Sequence, residues 1–207
     1  MRVSDIDVAS EQKTVQQLLG RCLLRLQQYE RLLKRVIVLH DIEGSAPALP
    51  AVIAGRTEMR AKANLGNLAK EMFQTFVVAV DAGANDLPDD PVRADVAGLN
   101  RVRLLNQVQL SSDQLETAKA AIRELVDMRN DLVHHLVEIF DVWTVDGCLA
   151  ARLYLEECHR RIDIHLDQLR QWAQGMDNAR ALAASFMQTE TFIDLFDNGI
   201  EPDGTID

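Results

Sequence analysis

The stretch SSDQLETAKAAIRELVDMRNDLVHHLVEI, residues 111–139, decides how the chain is read. Ser111 and Gln114 stand at capping-box spacing, where each side chain can satisfy the other's backbone N–H at a helix start. From there Leu115, Ala118, Ile122, Leu125, Arg129, Leu132, Leu136 and Ile139 recur every three or four residues. That period places one apolar stripe along a helix, so the segment predicts a long amphipathic helix against a core.

Working outward, the same period runs through Val15, Leu18, Cys22, Leu26, Tyr29, Leu33, Val36 and His40, predicting a helix over about residues 11–40. Gly44-Ser45-Ala46-Pro47 and Pro50 then read as a loop. Asn64 is a good cap for a second helix through Leu68, Met72, Phe73, Phe76 and Val80. Residues 81–91 read as a loop and 93–108 as a helix. A turn over Asp141–Gly147 leads to a helix at about 147–174 through Leu149, Leu153, Leu155, Ile162, Leu166, Leu169 and Trp172, and a shorter one follows near 177–187. The expected fold is all-α, an antiparallel bundle of four to six helices. Residues 1–176 form the domain, and 177–207 add a short helix and an acidic tail.

A chain of 207 residues suits one large domain, and its 26% charged and 47% hydrophobic content is that of an ordinary globular protein. Cys22, Cys148 and Cys158 lie far apart with no C-x-x-C pairing, which argues against a disulfide framework or zinc site and points to a reducing cytosol. No secretory leader is visible at the N-terminus, and runs such as Phe76 to Val80 are too short to span a bilayer. No metal or other cofactor is expected. The net charge is −10, and residues 177–207 alone carry −6 of it, so the chain lacks the basic stripe of a general nucleic-acid binder.

The chemistry concentrates in Arg129-Asn130-Asp131-Leu132-Val133-His134-His135. Arg129 occupies a seam position that asks for leucine, so its guanidinium must meet a carboxylate, water or a bound anion. A guanidinium can hold a phosphate, and an imidazole can move a proton near neutral pH. Asp127, Asn130 and His134 share a neighbouring face. His134 lies about 140° round an ideal helix from Arg129, so the two could address one ligand at a kink, or by reaching round a groove. The alternative is a structural network, Arg129 with Asp127 or Asp131 and His134 half-exposed.

This stretch resembles the R-x4–6-H motif of the HEPN superfamily, all-helical proteins that include prokaryotic RNases of toxin–antitoxin and antiphage systems. Arg129 followed by Asn130, with His134 five residues on, matches its R-N-x-x-x-H form, and His135 fits the looser spacing. The layout from about Glu11 to Trp172 is similar to that family's; the motif covers only these seven residues. Three other pairs satisfy the bare spacing: Arg35 with His40, Arg152 with His159, and Arg160 with His165. They lack the adjacent Asn, and His40 and His159 read better as satisfied core histidines.

The resemblance implies a metal-independent endoribonuclease. His134 would take the proton from the ribose 2′-hydroxyl and Arg129 would stabilise the phosphorane, with Asn130, Asp127 and His135 in support. The products would be a 2′,3′-cyclic phosphate and a 5′-hydroxyl. A homodimer is expected, because two chains around a two-fold axis would supply both a base and an acid. RNA is the implied substrate and a neutralising antitoxin or defence protein the implied partner. Some family toxins carry a tyrosine two residues after the motif histidine, a site of modification by a partner; here Leu136 stands there. Two rivals remain: a non-catalytic helical module binding a nucleotide, RNA or protein, which the overall acidity favours, and a purely structural dimer. The basic rim of the first helix reads as a solvated face, and Cys158, His159 and His165 lack the spacing of a metal site. The tail, with Phe186, Met187, Phe192, Ile193, Leu195 and Phe196, could cap the bundle, dock in a partner or shield a cationic site.

Overall fold

The computed structural model describes residues 7–45, 47–80 and 101–190, and these are mostly helical. The order is α1 (Val8–Leu39), β1 (Asp41–Ser45), α2 (Leu49–Arg60), α3 (Leu65–Thr75), β2 (Val77–Ala79), β3 (Arg101–Leu105), β4 (Val108–Leu110), α4 (Ser112–Asn130), a π-helical turn (Asp131–His135), α5 (Leu136–Ile139) and α6 (Val145–Phe186).

The core is built on α1 and α6. Val15, Cys22, Leu26, Tyr29, Leu33 and Val36 on α1 are buried, as are Cys148, Leu155, Ile162, Leu166, Leu169 and Met176 on α6. Both sets keep the three-four spacing that lays an apolar stripe along one face. Polar groups fix the register of the pair. Cys22 Sγ donates to the Leu155 carbonyl at 3.4 Å, Arg25 Nε meets Asp163 at 3.1 Å, and Arg35 meets Asp177 at 3.3 Å. Partners rise together along both helices, so α1 and α6 run parallel. An antiparallel arrangement holds for α4 against α6, where Glu124 pairs with Arg161 while Asp113 and Trp172 line one groove. The expected antiparallel bundle is therefore corrected for its two longest members. α2 already runs back along α1, with Ala61 beside Lys34 and Arg56 beside Asp41, and α4 runs back against α6, which itself follows the direction of α1.

Four other expectations are corrected. The segment 93–108 was expected to be helical; its described part holds β3 and the start of β4, while 93–100 and the loop over 81–91 lie outside the described residues. β1 pairs antiparallel with β3 (Asp41 opposite Leu105), and β2 pairs parallel with β4 (Val77 opposite Val108). The helix expected through Val80 stops at Thr75, because Val77 to Ala79 turn into the second ladder. The loop after Gly44 contains α2, which has Pro50 in its first turn, where a missing N–H costs nothing. Finally, α6 is one helix of 42 residues, uninterrupted at the expected break near 176, and the acidic end 191–207 lies outside the described residues.

At the closed end of the core, Phe76 packs edge-on against His40 (6.0 Å between ring centroids) and Trp172 (6.1 Å). His40 is buried, its Nδ1 at 2.8 Å from the Ile37 carbonyl, and burial lowers its pKa. It is the satisfied core histidine the sequence suggested. His159 is half-exposed, with Nδ1 at 3.3 Å from Asp163, and so belongs to the surface rather than the seam.

Candidate functional site

The site is built by the end of α4. The capping box expected at Ser111 is present: Gln114 N–H donates to Ser111 Oγ at 3.3 Å and Ser111 N–H to Gln114 Oε1 at 3.0 Å. The helix then buries Leu115, Ile122, Leu125 and Met128 and stays regular to Asn130. Over Asp131–His135 it opens into a π turn, with Leu132 and Leu136 held in the core on either side. A π turn closes its hydrogen bonds over five residues instead of four, so a residue five along comes round closer to its starting face. That is the separation of Arg129 and His134. At His135 the backbone leaves helical values (φ −123°, ψ −4°), and at Phe140 it becomes extended and ends the element.

Arg129 is half-buried, and Asn130, His134 and His135 are exposed. Arg129 Nη1 donates to Asn130 Oδ1 at 3.3 Å. Among the described residues no carboxylate lies within ion-pair distance of Arg129, so the alternative network with Asp127 or Asp131 is not formed. The His134 and His135 rings sit 6.2 Å apart, centroid to centroid, at 65°. His135 Nδ1 lies 2.9 Å from Glu138 Oε2. In the tautomer whose Nδ1 carries the proton, that N–H donates to Glu138 and Nε2 is left as an acceptor, the form a general base needs.

Asp127 lies elsewhere. With Asp131 it lines a cleft of about 230 Å³ facing α6, beside Glu124, Tyr154 and Arg161. No hydrogen bond joins Asp127 to His134 among the described residues. Across this cleft Arg161 pairs with Glu124 and, at 2.8 Å, with Glu157, whose carboxyl Arg160 and Arg161 hold down to about 2. The cleft is thus net acidic, four carboxylates to the one guanidinium of Arg161, and Arg129 and the two imidazoles are not among its lining residues.

The structure therefore joins Arg129 to Asn130, His134 to His135, and His135 to Glu138. Sequence reasoning missed Glu138; the signal was its three-residue spacing from His135, which places the two side chains together on a helix. Exposed apolar side chains occur within and soon after the motif along the chain: Val133, Val137 at 70% of full exposure, Ile139, and Trp143 at 78%. Three free cysteines are all buried, and no grouping of three or more His, Cys, Asp or Glu suited to a metal occurs among the described residues. No described helix is long and apolar enough to cross a membrane. Compared with protein-family models, curated proteins and solved structures, the chain matches none.

Proposed function

We propose that the chain cleaves RNA through the ribose 2′-hydroxyl, as a homodimer, with Arg129 and His134 as the acting pair. The observation that carries this reading is a half-buried guanidinium without a carboxylate partner, one π turn away from two exposed imidazoles. A cation so placed is available to an anion, and the imidazoles are available to a proton. His134 removes the 2′-hydroxyl proton, the oxygen attacks phosphorus, and Arg129 balances the charge on the phosphorane. A second imidazole protonates the departing 5′-oxygen, giving a 2′,3′-cyclic phosphate and a 5′-hydroxyl. Asn130 positions Arg129, and the His135–Glu138 pair supplies an oriented imidazole next to the first.

In-line displacement places acid and base on opposite sides of phosphorus, whereas His134 and His135 leave the same short turn. A second copy supplies the opposite side, and the exposed Val133, Val137 and Trp143 beside the cluster provide apolar area for it. Independence of metal, and the toxin or defence setting with its neutralising partner, rest on the HEPN resemblance alone.

The test is cleavage of tRNA and mRNA by the purified protein with EDTA present. His134→Ala and Arg129→Ala should each lose at least about 100-fold in rate with the helical CD spectrum unchanged. Full activity in either variant sinks the reading. A non-catalytic binding module is the second reading, favoured by the acidic seam at Asp127 and Asp131, since carboxylates repel a phosphate backbone. Saturable binding of a partner protein, with neither RNA binding nor cleavage, would select it.

A further inference from the structure

A second feature lies far from the motif. The C-terminal end of α1 and the facing side of α2 enclose a groove of about 350 Å³, within the size range of ligand clefts. Its floor is apolar, formed by Val38, Leu39 and Ile53, and its rim carries Arg31, Lys34 and Arg35. No carboxylate among the described residues lines it. Arg31 makes no ion pair among the described residues. Lys34 donates only to the Ala61 carbonyl, at 2.8 Å, and Arg35 is 61% exposed with one 3.3 Å contact to Asp177. An apolar trough under three under-used cations, in a chain of net charge −10, calls for an occupant that is both apolar and acidic.

The end of this chain has that chemistry. Residues 188–207 carry six carboxylates and no cation, and Phe192, Ile193, Leu195 and Phe196 alternate there with Asp194 and Asp197. The end of α6 is also close by. Arg180 Nη2 donates to the Leu39 carbonyl, and Asp177 meets Arg35, so α6 passes the groove six residues before it ends at Phe186. Those six residues advance about 9 Å. The eight from Phe186 to Asp194 can span up to about 27 Å, more than enough to return. The other acidic stretch, 81–100, has no aromatic residue and carries Arg93, and so suits the trough less well.

We infer that the acidic, phenylalanine-bearing end, residues 191–207, docks into the groove between α1 and α2 of its own chain. Phe192 and Phe196 fill the apolar floor, and Asp194 and Asp197 meet Arg31, Lys34 and Arg35. A tether this short gives an effective concentration of about 1 mM, so even weak docking closes the groove.

The test uses the full chain. A zero-length carbodiimide joins an amine only to a carboxylate in contact with it, and peptide mass spectrometry identifies the joined pair. Lys34 should couple to Asp194 or Asp197 at least about fivefold more than Lys13, Lys62, Lys70 or Lys119 does. That preference should vanish in 1 M salt, which screens exposed charges, and in Arg31→Glu/Arg35→Glu. Phe192→Ser/Phe196→Ser, which alters no charge and no residue of the helical core, should also abolish it and speed amide exchange in α2. Mixed heavy and light chains report whether coupling is within a chain. Coupling between chains would assign the groove to a second copy's tail, and coupling of Lys34 to residues 81–100 would assign it to that segment. Either result, or equal coupling at all lysines, overturns the inference.

Discussion

Arg129 has a carboxamide where a buried guanidinium would need a carboxylate, and this sets how its removal reads out. Deleting one partner of a buried ion pair strands the other charge and costs about 3–5 kcal/mol. Arg129→Ala strands only an exposed Asn130, so its effect on urea unfolding should stay below about 1 kcal/mol. A loss above about 3 kcal/mol would mean that the residue serves the scaffold. His40 behaves in the opposite way. Its burial lowers its pKa, so the unfolded chain takes up the proton first as pH falls. The stability it contributes is complete above the unfolded value near 6.5 and is lost progressively below it. Unfolding free energy should therefore fall between pH 6.5 and 5 by up to about 1.4 kcal/mol per pH unit from this group, with half-buried His165 adding in the same direction. His40→Asn, which keeps a donor for the Ile37 carbonyl, should flatten that slope. An unchanged slope would show that His40 does not titrate differently on folding.

Among the elements, α6 depends on how it begins. Thr144 caps it by accepting from Gly147 N–H at 3.1 Å, and the chain arrives over the Asp141–Thr144 turn. A Cβ on Gly147 would lie 1.9 Å from the Asp141 carbonyl oxygen, so the turn or the helix must move to admit one. Gly147→Ala should cost about 1–3 kcal/mol in denaturant unfolding. Gly20 sits mid-helix in α1 with nothing within 4 Å of an added Cβ. Gly20→Ala should therefore stabilise by about 0.5–1 kcal/mol, since alanine gives up less backbone freedom. Equal effects of the two substitutions would contradict this account of where α6 is fixed. The π turn is the other element-scale feature: it interrupts a regular helix at the residues proposed to act on RNA, and such turns are frequent at functional sites.

For the whole molecule, the proposed dimer rests on the apolar patch beside the motif. Val137→Asp with Trp143→Ala should shift sedimentation from dimer to monomer and reduce cleavage while leaving the helical CD spectrum unchanged. A wild-type chain that sediments as a monomer at all concentrations would remove the composite site. The core that presents this patch does not depend on it, because α1 and α6 bury their seams against each other, with Phe76 closing one end between His40 and Trp172.

Local pattern by itself determined the long helices. The seam from Val15 to Val36, the capping box at Ser111 and the run from Leu149 to Trp172 are each written within a few turns of chain, and each lies in a helix. α2 escaped because it buries no residue fully, so no apolar stripe marked it, and its opening proline read as a breaker. β1 and β3 escaped because Asp41 meets Leu105 across more than sixty residues, a pairing that neither short strand announces. The motif's residue types were legible, but their partners were not. Only tertiary packing turned Asp127 and Asp131 toward Arg161 on α6, left Arg129 without a carboxylate, and set α6 parallel to α1. The physical reason is range. Helical periodicity follows from neighbours along the chain, whereas the partner of a charge is fixed by whichever elements the core brings beside it.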